Sequence, residues 1–338
     1  MKRIIVTGGM GYIGSHTVVD LIENNFEVII IDDLSRSEEG VLQGIKKITG
    51  VLPKLYKVNL CDKEGLSKVF ETEQNIDGVI HFAAFKYVDE SVKLPLLYYK
   101  NNISGLLNLL EIVKQHDIKN FVFSSSCSVY GNIDTLPVSE NTKLNPSQSP
   151  YASTKVVGEM ILEEAKVEIP SKFISLRYFN PVGAHMSGHI GESPAVIPNN
   201  LVPRITGTAH GKFEKLMVFG YNLPTRDGSC IRDYIHVVDL AEAHTAALKF
   251  LSNQENTNTH EIINIGSGNG VTVLELINAF EKTTGKTVNK ELTEPREGDV
   301  IAVYSDNSKA NRLLQWQPKK TIEDMMLSAW NWEIKEDK

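Results

Sequence analysis

The sequence contains little cysteine, and its few cysteines are not spaced for cross-linking. Cys61, Cys127 and Cys230 are the only three in 338 residues, and no two of them have C-x-x-C spacing. Disulfide frameworks and zinc sites need paired cysteines, so both are disfavoured and a reducing compartment is favoured. In HMSGH, the residues between His185 and His189 are typical of a loop, and no third ligand stands nearby. We predict no metal site.

An excess of positive charge and a long apolar run are also missing. Lys and Arg number 35 against 42 Asp and Glu, so the net charge of −7 gives no basic patch for nucleic acid. The apolar runs fall short of the ~20 residues of a membrane helix. The first residues, MKRIIVTGG, enter a strand-like run at once, without the features of a signal peptide. We expect a cytoplasmic protein that binds neither nucleic acid nor membrane.

The chain does contain a regular alternation of short β-branched runs and longer amphipathic stretches. Five runs have the pattern of strands buried on both faces: Arg3–Thr7, Glu27–Asp32, Asp77–Ala84, Lys119–Ser126 and Lys172–Asn180. Between them, Leu96–His116 and Tyr151–Lys166 have the apolar spacing of helices. Repetition of strand, helix and strand predicts an α/β fold with a doubly wound parallel sheet of the Rossmann type.

After Asn180 the pattern changes to a stretch rich in Pro, Gly and Asn, NPVGAHMSGHIGESPAVIPNNLVPRITG. Such composition indicates a smaller, mixed α/β lobe over a cleft rather than more of the sheet. A later strand and turn, His260–Gly268, precede a predicted helix, Val271–Gly285. We predict a first domain at residues 1–180, to which a segment at about 235–270 returns, and a second lobe mainly at 181–338.

The first strand leads directly into a glycine-rich loop, VTGGMGYIGSH, in which Gly8, Gly11 and Gly14 stand three residues apart. Glycines at this spacing allow a tight turn, a close approach of backbone to a pyrophosphate, and close packing of the next helix. The N-terminus of that helix offers free N–H groups and a positive dipole end to phosphate. The loop therefore predicts dinucleotide binding.

An acidic pair follows this loop at the distance expected for a ribose-binding residue. The second strand ends in Asp32 and Asp33, about 20 residues further on, where a carboxylate binds the hydroxyls of the adenosine ribose. A carboxylate there repels a 2′-phosphate, which favours NAD over NADP. Arg36 lies close enough to leave NADP as the alternative.

A tyrosine and a lysine stand four residues apart in PYASTK, Tyr151 and Lys155, downstream of SSSCSVYG. This spacing places both side chains on one helix face, where they can act on one ligand. An isolated pair of this kind is usually an incidental feature of an exposed helix. The glycine-rich loop and the strand ending in Ser126 favour a functional pair instead.

Taken in order, these motifs resemble the extended short-chain dehydrogenase/reductase family, and its nucleotide-sugar branch fits best. The resemblance is carried by TGGMGYIGSHT, HFAAFKYVDES, YYKNN, FSSSCSVYG, PYASTK, LRYFNPVGAH, PNNL, RDYIHVVDLA, REGDV and SDNSKA, which span nearly the whole chain. LRYFNPVGAH and PNNL are specific to the sugar-nucleotide side. Two positions depart from the family pattern: Asp33 stands where Asn is usual, and Asn59 where Asp is usual.

Within that branch the resemblance is to members that epimerise carbon 4 of a UDP-hexose, an activity of galactose and wider carbohydrate metabolism. It implies that carbon 4 loses hydride to NAD, the 4-keto sugar turns over, and hydride returns to the opposite face. Removal of hydride from a carbinol requires a base on its hydroxyl, and Tyr151 is the candidate. Its phenol pKa must fall by roughly 3 units from about 10, through Lys155 and the positive nicotinamide. Ser126 is predicted to bridge the substrate hydroxyl to Tyr151.

The resemblance also implies two sets of binding residues. The cofactor contacts expected are Gly8, Gly11, Tyr12, Ile13, Gly14, Asp32, Asp33, Asn59, Leu60, Phe82, Ala83, Ala84, Lys86, Asn101, Ser124, Tyr151, Lys155 and Tyr178. The substrate contacts expected are Lys86, Ser126, Tyr151, Phe179, Asn180, Asn200, Leu201, Val218, Phe219, Arg232, Tyr234, Arg296, Asp299 and Val303. For Phe82 and Asn101 a core aromatic and a loop hydrogen bond remain the alternatives, and for the arginines a solvated charge.

Val303 falls where the family tunes its sugar pocket, with a bulky Tyr in members limited to plain hexoses. A valine there leaves room for an N-acetyl group, so UDP-N-acetylglucosamine and UDP-N-acetylgalactosamine are further candidate substrates. The alternatives are another nucleotide-sugar enzyme, such as a dehydratase, decarboxylase or reductase, and a non-catalytic NAD-binding regulator. SSSCSVYG lacks the Thr-Asp-Glu that a dehydratase commonly carries there. We expect a homodimer. Leu96–His116 and the helix containing STKVVGEMILEEA are candidates for its interface, and core packing is the alternative explanation of their apolar spacing.

Overall fold

A seven-stranded parallel sheet is the central layer of the fold, in the order β10-β6-β5-β4-β1-β2-β3. The computed structural model describes residues 1–133, 135–193, 200–256, 258–295 and 300–336. Within them the strands are β1 (Arg3–Thr7), β2 (Glu27–Ile31), β3 (Lys54–Tyr56), β4 (Gly78–His81), β5 (Asn120–Ser126), β6 (Lys172–Tyr178), β7 (Asn180–Val182), β8 (Leu216–Phe219), β9 (Ile231–His236), β10 (Thr259–Ile265), β11 (Gly270–Thr272), β12 (Lys290–Thr293) and β13 (Ala302–Val303).

Helices cover both faces of the sheet and build the second lobe. They are α1 (Tyr12–Glu23), α2 (Gly40–Thr49), α3 (Lys63–Thr72), α4 (Val88–Lys93), α5 (Pro95–Tyr99), α6 (Gly105–Gln115), α7 (Pro150–Ala165), α8 (Leu201–Ala209), α9 (Val237–Asn253), α10 (Val273–Thr284), α11 (Ser308–Leu314) and α12 (Ile322–Glu336). A π-helical turn (Lys100–Ser104) joins α5 to α6, and a 3₁₀ turn (Cys127–Tyr130) follows β5. No helix among the described residues is long and apolar enough to cross a membrane.

The predicted parallel sheet is confirmed, and its strands are buried on both faces. Ile4 and Val6 of β1 belong to the core packed against α1 and α9, whereas Ile5 belongs to the core packed against α3 and α6. Successive residues of a strand point to opposite faces, so a continuous apolar run fills two cores at once. All pairs in this sheet are parallel, including β10 beside β6.

Several element bounds differ from the sequence prediction for local reasons. The predicted strand at 77–84 ends at His81, so that Phe82 and Ala83 continue into the cleft described below. Asn180, predicted at the end of a strand of the main sheet, belongs instead to β7 of a second sheet. The predicted helix at 96–116 is interrupted by the π-helical turn. β3 was not predicted, because its three partly exposed residues are too few to form a pattern.

β9 is the centre of the second lobe, because it pairs with β7, β11 and β13. The chain then returns to the main sheet: α9 packs beside α1, and β10 adds the seventh strand. The core of the second lobe forms where α8, α10 and α12 pack together around Ile205, Phe280 and Trp330. The strand that builds the second lobe therefore leads directly into a helix of the first.

Candidate active site

The carboxyl ends of the central strands open into a cavity of about 430 Å³. Ligands of doubly wound sheets bind in this position, and the volume is typical of a small-molecule site. The structure places all the residues predicted to hold the cofactor on the wall of this cavity. Of those predicted for the substrate, it places Lys86, Ser126, Tyr151, Phe179, Asn180 and Asn200 there.

The glycine-rich loop has the geometry that its spacing predicts. Gly8 has φ +71°, and a side chain there would bring a Cβ within 2.7 Å of the Ala83 backbone nitrogen. A Cβ at Gly14 would lie 2.2 Å from the Gly8 carbonyl oxygen, so only glycine allows α1 to start this close to β1. The loop presents the N-terminus of α1 to the cavity, which is the arrangement that binds a pyrophosphate.

Asp32 is held in place at the end of β2 by three hydrogen bonds. Its carboxylate accepts from Met10 N at 3.0 Å, Leu34 N at 3.0 Å and Ser37 Oγ at 2.9 Å. Burial raises its pKa, and these hydrogen bonds oppose that rise. The carboxylate is thus fixed beside the cavity, where ribose hydroxyls can donate to it.

The two departures from the family pattern contact each other. Asn59 Nδ2 donates to Asp33 Oδ2 at 2.6 Å, so the amide and the carboxylate form one hydrogen-bonded pair. Exchange of Asn and Asp between the two positions keeps one amide donor and one carboxylate acceptor, so the same hydrogen bond can form. The departures therefore compensate for each other in the structure.

Arg36 also lines the cavity, but its charge is already paired within the protein. Its Nη2 lies 2.7 Å from Glu90 Oε1, and its guanidinium lies 4.8 Å from the centre of the Phe85 ring. The Glu90 carboxylate neutralises the charge that NADP would need. The residues present therefore fit NAD, which agrees with the carboxylate of Asp32.

Tyr151 and Lys155 are carried by α7, whose start is fixed by Pro150 at its first position and by Ser149, which caps the Ala152 N–H at 3.2 Å. Lys155 Nζ is buried and donates to the Ser124 carbonyl oxygen at 2.6 Å. It lies 6.0 Å from the centre of the Tyr151 ring. Burial lowers the pKa of Lys155 to about 7, and the Glu159 carboxylate opposes that shift.

The expectation that the phenol pKa is lowered is not met by the chain's own groups. Burial raises the pKa of Tyr151 to about 12, although the hydrogen bond with Ser126 favours the phenolate. Desolvation disfavours the charged form of both groups, so the phenol pKa rises and the ammonium pKa falls. A lysine with a pKa of about 7 is only partly charged at neutral pH, and it offers the phenol less than a full positive charge.

Ser126 ends β5 in extended conformation, and its hydroxyl accepts from Ser128 N at 3.2 Å. Its neighbours differ from it in role. Ser124 shares a hydrogen bond with the Tyr178 hydroxyl across β5 and β6, and Ser125 donates to Glu159 at 2.5 Å. Among these three serines, the structure brings Ser126 next to the phenol of Tyr151.

The π-helical turn at 100–104 fixes the loop after β4. It places Asn101 on the cavity wall and turns Asn102 inward. Asn102 accepts from Phe85 N at 2.8 Å and donates to Phe85 O at 3.1 Å and to Thr154 Oγ1 at 3.0 Å. π-Helical turns of this kind are frequent at functional sites. Sequence reasoning missed Asn102, although it stands beside the predicted Asn101.

An ion pair buried beneath the site joins α7 to the main sheet. Arg177 Nε and Nη2 donate to Glu159 Oε1 and Oε2 at 2.9 and 2.6 Å, and both side chains are at most 6% exposed. The guanidinium also lies over the Tyr130 ring at 5.0 Å. Because Glu159 follows Lys155 by one helical turn, this pair fixes the position of the helix face that carries Tyr151 and Lys155.

The remaining predicted substrate residues that the structure describes do not line the cavity. Val218 and Tyr234 are buried in the core of the second lobe, and Arg232 donates to the Ile231 carbonyl oxygen at 2.9 Å. Across β9, Tyr234 pairs with Asn180 and Arg232 with Val303, so one strand brings these four together. Leu201 begins α8, and Phe219 ends β8. Arg296 and Asp299 lie outside the described residues.

Sequence reasoning also missed a group of residues that line the cavity, for the most part in loops. They are Ile31, Ser35, Ser37, Val58, Phe85, Tyr87, Val88, Cys127, Ser128, Pro181, Glu192 and Ser193. Most lie within a few residues of a predicted position and share its loop. Glu192 has no such neighbour in the sequence, and no local pattern identified it.

Comparison with known proteins extends these observations over the whole chain. The family profile described as GDP-mannose 4,6 dehydratase matches residues 5–328. The chain is 44% identical over 331 residues to a UDP-glucose 4-epimerase of Bacillus subtilis, and the aligned region covers 98% of this chain and 96% of that protein.

Two solved structures are also similar. A UDP-glucose-4-epimerase of Stenotrophomonas maltophila with bound NAD and formylated UDP-arabinopyranose has a TM-score of 0.96 and 41% identity, covering 100% of this chain and 99% of that one. A UDP-glucose 4-epimerase of Bifidobacterium longum in complex with NAD+ and UDP has a TM-score of 0.94 and 40% identity, covering 99% of each chain. The likeness in sequence and in fold is therefore of full length on both sides.

Proposed function

The chain belongs to the UDP-glucose 4-epimerases of the extended short-chain dehydrogenase/reductase family, and we propose that it interconverts UDP-glucose and UDP-galactose with NAD in its cleft. The observation that carries the proposal is the position of Tyr151, Lys155 and Ser126 on the wall of the cavity that the glycine-rich loop also lines. A non-catalytic NAD-binding regulator would not need these three side chains together.

When bound, NAD supplies the acceptor that takes hydride from carbon 4 and later returns it. The chain's own residues handle the proton. Tyr151 takes the proton of the carbon-4 hydroxyl, directly or through the hydroxyl of Ser126, and gives it back when hydride returns. In the protein alone, a pKa of about 12 keeps the Tyr151 phenol neutral. The positive charge of bound NAD would favour the active phenolate.

The family profile is described by a dehydratase, but the residues after β5 favour an epimerase. Loss of water needs a second acid and base close to the sugar. At that point of the chain the cavity is lined by Cys127 and Ser128. Burial raises the pKa of the Cys127 thiol to about 12, so it remains protonated and does not serve as that base.

Assignment of the two lobes follows from the same proposal. We assign NAD binding to residues 1–180 together with about 235–270, and UDP-sugar binding mainly to the rest. β9 would bring Arg232 and Tyr234 to the nucleotide, with Leu201, Val218 and Phe219 from the neighbouring elements. Arg296 and Asp299 are proposed to complete the diphosphate and sugar contacts.

The sugar pocket is proposed to admit an N-acetyl group at carbon 2. Val303 packs in a small apolar cluster with Val129, Val138 and Phe179, and Phe179 lines the cavity. A valine in this cluster occupies less volume than a tyrosine would. Turnover of UDP-N-acetylglucosamine by the wild type, and its selective loss in Val303→Tyr with UDP-galactose turnover retained, would support this; no turnover in the wild type would refute it.

A homodimer is proposed through an apolar surface on α5, α6 and α7. Leu96, Tyr99, Leu107 and Met160 are between 38 and 81% exposed, and α5 packs beside α7. A second copy related by a two-fold axis would cover the same patch on both subunits. Light scattering should give twice the chain mass, and Leu96→Glu with Met160→Glu should give a monomer, whereas Leu292→Glu in the second lobe should not. A monomeric wild type would refute the proposal.

We also infer that the protein works in the cytoplasm, since its three cysteines are unpaired. The experiment that tests the function is direct. Purified protein is incubated with UDP-galactose, without added cofactor, and the anomeric protons are followed by NMR. We expect UDP-glucose to form. Tyr151→Phe purified in parallel should form almost none, which would exclude a contaminating enzyme. No conversion with or without added NAD would overturn the proposal.

A further inference from the structure

One carboxylate oxygen at the cavity holds two groups that come from different lobes. Glu192 Oε1 accepts from Lys86 Nζ at 3.1 Å and from Asn200 Nδ2 at 2.7 Å. Lys86 follows β4 of the main sheet, and Asn200 precedes α8 of the second lobe. All three residues line the cavity. Glu192 therefore joins the predicted cofactor side to the predicted substrate side.

The backbone of Glu192 is anchored, and its side chain borders the cavity. Trp332 of α12 donates from Nε1 to the Glu192 carbonyl oxygen at 3.1 Å. Gly191 packs so closely on the Trp332 ring that an added Cβ would lie 2.4 Å from it. A long side chain on a fixed backbone can change its hydrogen-bond partners by rotation about its own bonds, without movement of the loop.

The contacts of the Glu192 carboxylate are those of a bound anion. An ammonium and an amide N–H converge on one charged oxygen, which is the donor set that a phosphate oxygen also accepts. Burial lowers the pKa of the Lys86 ammonium, but the charge of Glu192, its hydrogen bond and Tyr87 together raise that pKa above its usual value. Lys86 is therefore fully charged, and its ammonium group is already paired with the Glu192 carboxylate.

We propose that Glu192 is a resident anion that a diphosphate must displace from Lys86 and Asn200, so that it weakens nucleotide binding and speeds nucleotide release. The inference rests on the proposed function, which brings two diphosphates into this cavity, one in the UDP-sugar and one in NAD. It assigns to Glu192 the role of a positioning residue, because the carboxylate acts on the ligand through Lys86 and Asn200.

Neutralising Glu192 should therefore strengthen binding. Glu192→Gln keeps an oxygen that can accept from Asn200 but removes the charge that competes for Lys86. A like charge beside a bound anion is strongly unfavourable, so UDP should bind to the variant roughly five- to tenfold more tightly than to the wild type. The KM for UDP-galactose should fall with it, and kcat should not rise, because product release becomes slower.

The experiment is a calorimetric titration of UDP into NAD-loaded wild type, Glu192→Gln and a control variant, Glu168→Gln. Glu168 pairs with Lys114 at 2.7 Å on the surface, so its replacement makes the same change in net charge away from the cavity. A second series repeats the comparison in a Lys86→Met background, where the gain should shrink to less than twofold. A third titrates NAD into nucleotide-free wild type and Glu192→Gln.

A gain confined to UDP assigns the displacing group to the substrate, and a gain confined to NAD assigns it to the cofactor; both support displacement. Equal affinities of wild type and Glu192→Gln for UDP and for NAD would overturn the inference while leaving the proposed function intact. A gain that persists undiminished without Lys86 would also overturn it. If the wild type bound neither UDP nor NAD, the proposed function itself would fall.

Discussion

The buried ion pair beneath the site gives a quantitative prediction. In Glu159→Gln, the Arg177 guanidinium loses the charged partner that accepts from it at 2.6 and 2.9 Å, keeps one acceptor oxygen and stays almost fully buried. Arg177 Nη1 already has no hydrogen-bond partner among the described residues, so the Tyr130 ring is the contact that remains beside the charge. An uncompensated buried charge of this kind costs about 3–5 kcal/mol. We expect the free energy of unfolding to fall by that amount.

Removal of both charges should cost much less. In Glu159→Met with Arg177→Met, two apolar side chains fill the space and no buried charge remains. Ser125 loses its acceptor, which costs about 1–3 kcal/mol. The double variant should therefore be more stable than Glu159→Gln, and within about 2 kcal/mol of the wild type.

Urea unfolding followed by circular dichroism tests this, with the same NAD concentration in every sample so that cofactor binding does not differ. A loss below 1 kcal/mol in Glu159→Gln would refute the reasoning, as would a double variant no more stable than the single one. The same substitution should lower the pKa of Lys155 further below about 7, because Glu159 is the group that opposes the effect of burial.

Three further outcomes are expected. Tyr151→Phe should lower kcat by about 10²- to 10⁴-fold with UDP binding retained, as initial rates and UDP titration will show. Gly14→Ala should lose bound NAD, measured by absorbance after denaturation, because its Cβ would lie 2.2 Å from the Gly8 carbonyl oxygen. Thermal stability should fall as the pH drops below about 6.5, because burial lowers the pKa of four histidines to about 3 or 4 and the unfolded chain then binds more protons. These are His16, His81, His236 and His244. Buried carboxyls with raised pKa, such as Asp233, act in the opposite direction, so the informative comparison is between the wild type and His244→Leu. Between pH 6.5 and 4.5 the free energy of unfolding of His244→Leu should fall less steeply than that of the wild type, by about 1.4 kcal/mol per pH unit.

The part of the site predicted from the sequence is the part whose geometry is local. Gly8 and Gly14 are needed by one turn, and Tyr151 and Lys155 share one helix face. In each case the spacing in the sequence alone restricts the geometry, of the backbone for the glycines and of the side chains for the tyrosine and lysine. The strands of the main sheet were found for a similar reason, since burial on both faces leaves a continuous apolar run.

The part that was missed depends on contacts between distant positions. Glu192 and Lys86 are 106 residues apart in the sequence, and no pattern around either residue predicts their contact. β9 was not identified as the centre of the second lobe, because its three partner strands come from separate segments of the chain. The pKa of Tyr151 was expected to fall through Lys155 and the positive nicotinamide together. In the protein alone, burial, which a sequence does not measure, raises it to about 12.

The central claim is that hydride leaves carbon 4 and returns to the same carbon within one site. UDP-galactose carrying deuterium at carbon 4 should be converted, without added cofactor, into UDP-glucose that retains the deuterium, as mass spectrometry and NMR will show. Retention is expected because the proposed base, Tyr151, and the predicted cofactor residues line one cavity. Loss of the label to solvent, or conversion that consumes added NAD in proportion to product, would contradict the account.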